Sequence, residues 1–158
     1  MLDKLRRVSA APRDVMVVLR RAEEEARVLG ASTCEAEHIL LALVDEPTVS
    51  ASGVLSSLGL SREGITEALE RELASALARA RIHVAELPRP QSLGDSHRVP
   101  WGESAQRVVE RSIRESAGDP SLRMLLAIVH AEGGVIPRLL PELGVSVGDV
   151  EMAVAEAT

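Results

Sequence analysis

The feature that most limits how this chain can fold is a pattern that occurs twice. Leu40-Leu41-Ala42-Leu43-Val44 returns as Leu125-Leu126-Ala127-Ile128-Val129. Leu55, Leu58, Gly59, Ser61 and Ala68 return at the same offset as Leu140, Leu143, Gly144, Ser146 and Ala153. Upstream, Val18, Arg21 and Glu25 match Val108, Arg111 and Glu115 if the second copy is five residues shorter between its first two helices. Scattered leucines match by chance, but a shared spacing that ends on a glycine rarely does. The chain reads as a duplicated unit.

Each copy reads as four helices. In the first, apolar residues at helical spacing (Val15, Val18, Ala22, Ala26, Leu29) predict a helix over 13–29, stopped by Gly30. Ser32-Thr33-Cys34-Glu35 has capping-box form, and the helix after it is apolar almost all round, the mark of a buried centre. A short helix from Ser50 to Leu58 and a long one opened by Ser61 follow, the latter with Ile65, Leu69, Leu73, Leu77, Ala80 and Val84 on one stripe. Pro88, Pro90, Gly94 and Pro100 then punctuate a polar linker. The second copy repeats the order. A helix over 104–117 buries Val108, Val109 and Ile113, and Asp119-Pro120 starts the next, apolar from Met124 to Val129. A short helix over 135–143 ends at Gly144, and a last one from Val147 turns Val150, Ala153 and Val154 inward. The expected divisions are an extension over 1–12, a first repeat over 13–86, a linker over 87–103 and a second repeat over 104–158.

Composition agrees with an all-α fold. There is no Phe or Tyr and one Trp, so the core must be Leu, Val, Ile and Ala, and Ala, Leu, Glu and Arg favour helices. Net charge is −6 with no basic stripe, which argues against nucleic-acid binding. A single cysteine rules out an internal disulfide framework, and no apolar run reaches spanning length. A soluble cytoplasmic monomer is expected, with no membrane partner. There is no G-x-x-x-x-G-K-[ST] loop, and the only lysine is Lys4. An enzyme is not expected, and no cofactor or metal is called for.

Glu25-Ala26-Arg27, Gly30, Glu37-His38-Ile39-Leu40-Leu41-Ala42-Leu43 and Leu58-Gly59-Leu60 resemble the Clp repeat. That repeat occurs twice in the N-terminal domain of Clp/Hsp100 unfoldases, most closely the ClpC type. The resemblance covers roughly residues 12–69, and more loosely 100–154. It implies a pseudo-twofold bundle of eight helices that recruits adaptors and substrates, here without the ATPase modules. The implied partners are peptides, adaptors, client proteins, and a Clp ATPase or peptidase. Adaptor, competitor for ligands and sink for toxic peptides are all open roles. The alternative is an accessory subunit that docks on a Clp protease core.

Two candidate sites follow from the resemblance. A groove where the first helices of the two copies meet would involve Met16, Leu19, Glu23, Trp101, Glu110 and Ile113. Trp101 follows the linker, where core packing does not require it, and it reads equally as a binding anchor or as a staple folded onto the domain. Met16 and Leu19 read as core or as groove. Glu37 matches a glutamate of a phosphoarginine pocket, and a carboxylate suits a guanidinium because it accepts paired, charge-assisted hydrogen bonds. It reads somewhat better as a first-turn acid favoured by the helix dipole. The motif's threonine is Ala36 here, and the second copy has Ser121-Leu122-Arg123, so at most one such pocket remains. Cys34, Glu35, Glu37 and His38 are too few for a closed metal site, and read better as a buried thiol and a ring that satisfies local backbone.

Overall fold

The computed structural model describes residues 13–80, 98–114 and 118–158. Among them are eight helices and no strand: α1 (Arg13–Val28), α2 (Ala36–Asp45), α3 (Ser50–Ser57), α4 (Arg62–Arg79), α5 (Glu103–Arg114), α6 (Pro120–Val129), α7 (Ile136–Glu142) and α8 (Val147–Glu156). Val84 and most of the expected linker lie outside the described residues, as do 115–117 at the end of the expected fifth helix.

The duplication is visible in the packing. α1 lies on α2 as α5 lies on α6, and α2 and α6 touch each other. α1 also reaches α6 while α5 reaches α2, and α3 meets α8 while α7 meets α4. Exchanging the two repeats leaves this set of neighbours nearly unchanged, which is what a pseudo-twofold axis between α2 and α6 requires. Those two central helices hold Ile39, Leu40, Leu41, Leu43, Met124, Leu125 and Ile128, all essentially without solvent contact. No single helix among the described residues is long and apolar enough to cross a membrane.

The matched turns have matched causes. Gly59 and Gly144 adopt φ of 74° and 69°, a left-handed conformation that a side chain would strain. Each lets the next residue's N–H return to a carbonyl of the preceding helix: Leu60 to Leu55 at 2.9 Å and Val145 to Leu140 at 3.1 Å. Ser61 and Ser146 then cap the following helices, each hydroxyl accepting from a backbone N–H three residues on at 3.2 Å.

Three expectations need correction. The capping box of α2 is not Ser32 to Glu35. Glu35 is the cap, and the Nδ1 of His38 accepts from its N–H at 2.9 Å. The stripe along α4 is buried only at its start. Ile65 and Ala68 are core, whereas Leu73 is 59% exposed. α4 has 18 residues and its counterpart α8 only 10, so its later turns outrun the core. There Glu72 turns inward instead, bridged by Arg79 and by Arg138 of α7. On α5, Val108 and Val109 are buried, but Ser112 takes the inward place expected for Ile113, which is 37% exposed. The Ser112 hydroxyl donates to the Val109 carbonyl at 2.9 Å, so a small polar residue sits there without an unmet hydrogen bond.

Candidate functional site

The two repeats are stitched together where the linker enters α5. The Cys34 N–H donates to the Pro100 carbonyl at 2.8 Å and the Gly102 N–H donates to the Cys34 carbonyl at 2.9 Å, so Trp101 lies alongside Cys34 as one isolated bridge. The helix ends on either side exchange caps. The Glu35 carboxylate accepts from the Ser104 N–H at 3.1 Å and from the Ser104 hydroxyl. That hydroxyl accepts in turn from the Ala36 N–H at 2.9 Å. Orphan donors at the starts of α2 and α5 are thus met across the repeats.

Gly102 makes this junction possible. A Cβ on it would fall 1.7 Å from the Glu35 carboxylate oxygen, so any side chain must evict the group that caps α5. Gly102→Ala is expected to cost about 1–3 kcal/mol, the range for leaving capping donors unmet. Urea denaturation would show it, and a loss under about 0.5 kcal/mol would mean that Glu35 swings aside freely.

Trp101 is half-buried and tied to the first repeat: its Nε1 donates to the Glu23 Oε1 of α1 at 2.6 Å. Of the six groove residues, these two are brought together directly. Leu19 is 4% exposed and belongs to the core, and Met16 is half-buried. Glu110 and Ile113 lie on the exposed side of α5. α1 and α5 are not a closely packed pair; both rest on α2 and α6, which form a floor between them.

Glu37 sits half-buried in the first turn of α2. Burial raises its pKa above the ordinary carboxylate value, the nearby Glu35 charge adds to this, and its own backbone N–H opposes it. Among the described residues no basic side chain pairs with it. At the matching place in the second repeat, Leu122 is buried in the core.

Cys34 is fully buried, and burial together with the charges of Glu23, Glu37 and Glu35 pushes its thiol up to about 12. A thiol held protonated is a poor nucleophile. His38 is buried too, which lowers its pKa, and its Nδ1 is already occupied by the Glu35 N–H. The pair therefore packs and caps, and is not arranged for catalysis.

Sequence reasoning named Glu35 as part of a capping box and as a candidate ligand, and began a helix at Ser104, but it missed the contact between them, because the two lie 69 residues apart in the chain.

Comparison with known proteins bears on the same region. The profile of the Clp repeat (R) N-terminal domain matches residues 13–119. Chloroplastic chaperone protein ClpC1 of Oryza sativa subsp. japonica is 30% identical over 142 residues, covering 87% of this chain and 14% of that protein. The negative regulator of genetic competence ClpC/MecB of Bacillus subtilis (strain 168) is 31% identical over 144 residues, covering 88% of this chain and 16% of its own length. The chain thus spans about one-seventh of these relatives. In structure, the N-terminal domain of ClpD from Arabidopsis thaliana superposes with a TM-score of 0.62 at 18% identity, with 92% of each chain covered. The Hsp104 N-terminal domain from Candida albicans gives 0.61 at 16% identity, covering 90% of this chain and 87% of that one. The chain belongs to the Clp repeat N-terminal domain family, whose members serve Clp ATPases as substrate- and adaptor-binding modules.

Proposed function

We propose that this chain is a non-catalytic binding module of a Clp protease system that engages peptides, adaptors or client proteins beside Trp101. The observation that carries the reading is the placement of Trp101. The only aromatic residue is half-buried and fixed across the repeats by Glu23, so an apolar anchor is held ready without ordering cost at binding. Leu19 is core in this reading and Glu23 holds the tryptophan, while Met16 on α1 and Glu110 and Ile113 on α5 are offered as further contacts for a ligand that extends along the two helices.

Glu37 adds a second, charge-directed contact. An acid kept partly desolvated without a cation is an arrangement that a bound guanidinium would relieve, which supports phosphoarginine recognition at this one position. The sign of the pH effect follows. With its pKa raised in the folded state, Glu37 binds more protons folded than unfolded above the ordinary carboxylate range, so stability is lost as pH rises through its folded value. Glu37→Gln should therefore raise the melting temperature at pH 7, leave it unchanged near pH 3, and abolish phosphoarginine binding. A lower melting temperature at pH 7, or unchanged binding, would reduce Glu37 to a first-turn acid.

Trp101→Ala should weaken binding of an arginine-phosphorylated client peptide about fivefold to a hundredfold, the range for losing an aromatic anchor. Calorimetry on a folded sample measures it. Retained affinity would leave Trp101 as a staple for the linker, and would turn the reading toward docking on a protease core.

A further inference from the structure

One peptide group at the junction of the repeats is held from both sides. The Cys34 carbonyl and the Glu35 N–H belong to the same planar unit. The carbonyl accepts from the Gly102 N–H at 2.9 Å, and the N–H donates to Nδ1 of His38 at 2.9 Å. Gly102 directly follows Trp101, so the segment that carries the indole rests on a peptide whose far side is fixed by an imidazole. An Nδ1 that accepts carries no proton, which puts the proton of the neutral ring on Nε2. A second proton would turn that acceptor into a donor 2.9 Å from another donor, in a side chain only 5% exposed.

We propose that His38 is an acid-sensitive latch: protonation of its ring releases the Cys34–Glu35 peptide, and with it the segment that carries Trp101. The device does not depend on what Trp101 binds. Neither nearby acid is free to receive the imidazolium. The charges that reach the ring are those of Glu35 and, from α1, Glu25. Glu35 already accepts from Ser104, and Glu25 takes both ends of the Arg62 guanidinium from α4. α3 has no ionisable side chain, those of α5 are exposed, and Arg123 of α6 donates to the Gly118 carbonyl. Burial lowers the pKa of His38, and the charges of Glu35 and Glu25 oppose this. The latch is therefore closed at neutral pH. With the folded value below the ordinary imidazole value of about 6.5, its contribution is complete above that value and is lost as pH falls through the folded one. Glu37, next to it on α2, has a raised pKa and titrates toward the same range, so the two must be told apart by substitution.

Amide exchange on the full chain, corrected for the intrinsic rate, reads the latch at the Gly102 N–H. Between about pH 7.5 and about pH 5, Gly102 should lose about tenfold in protection, as expected when one linked proton weakens one hydrogen bond. His38→Gln is the informative variant. Glutamine is an ordinary capping-box residue at this position, its carbonyl oxygen accepts the same N–H, and it does not titrate. Its Gly102 protection should change less than about twofold over that range. In the unsubstituted chain the loss should begin near the ordinary imidazole value and level off where the His38 ring itself titrates by NMR, a comparison that serves if His38→Gln fails to fold. An equal loss in His38→Gln would assign the effect to Glu37 or Glu23 and overturn the latch. So would Gly102 protection that is constant in the unsubstituted chain, or a loss that does not follow the His38 ring.

Discussion

Leu40→Ala and Leu125→Ala are each expected to remove about 3–5 kcal/mol of stability, the upper part of the range for emptying a packed leucine site. The loss should fall on the whole molecule at once. The two leucines occupy matching positions on α2 and α6, at 1% and 0% exposure, and each helix is walled in by elements of both repeats. Little can collapse into either cavity without moving the other repeat, which places the cost near the top of the range. For a chain of this size that corresponds to a fall in melting temperature on the order of 10 °C. The repeats share one core through the α2–α6 contact, so unfolding should remain a single transition with matching calorimetric and van't Hoff enthalpies. Two separated transitions in Leu125→Ala would show that the repeats fold as independent units and that the shared core is of little energetic weight.

What could be read from the sequence was what is local. Gly59 with Ser61 and Gly144 with Ser146 announce a helix stop and a helix start within a few residues, and both turns form as expected. Asp119-Pro120 behaves likewise: the Asp119 carboxylate accepts from the Ser121 and Leu122 N–H groups at 2.8 and 3.2 Å. The apolar runs at Leu40 and Leu125 are long enough that only a central position could satisfy them. Periodicity failed where an element outgrew its neighbours. The stripe on α4 continues past the core because nothing in the spacing of Leu69, Leu73 and Leu77 records how far α7 and α8 extend. It failed also on α5, where inward Ser112 and outward Ile113 differ by a rotation that the pattern of one helix leaves open.

The candidate site was legible in its components and not in its connections. Trp101 stood out because a lone aromatic beside a linker has no reason to be core. That its indole would meet Glu23 depends on a contact between residues 78 positions apart. Glu35 looked like one more acid before a helix. Its role as cap of α5 arises only when the second repeat folds back, and Gly102 is small because that carboxylate occupies the space a side chain would need. Local chemistry thus specifies the helices, while the junction that holds Trp101 is a product of the duplication.

Arg62→Met should cost about 2–4 kcal/mol, far more than a surface ion pair. Arg62 opens α4 and gathers the first repeat around its guanidinium. Its Nη1 and Nη2 donate to the two oxygens of Glu25 on α1 at 2.8 and 2.6 Å, and Nη1 also meets Asp45 at the end of α2. These partners raise the pKa of the arginine above its ordinary value, with the Glu25 hydrogen bonds the largest cause and burial opposing them. Glu25 is only 8% exposed, so deleting the cation strands a carboxylate that water cannot adequately reach. Methionine fills the space of the side-chain stem, which keeps lost packing out of the comparison. The cost is then that of an unpaired acid, and removing the acid should relieve it. Arg62→Met combined with Glu25→Gln is expected to recover about half of the loss, a coupling that a double-mutant cycle in urea reads directly. A single-variant loss below about 0.5 kcal/mol would place Arg62 among the surface pairs. No recovery in the double variant would show that the arginine acts through packing and the Asp45 contact instead.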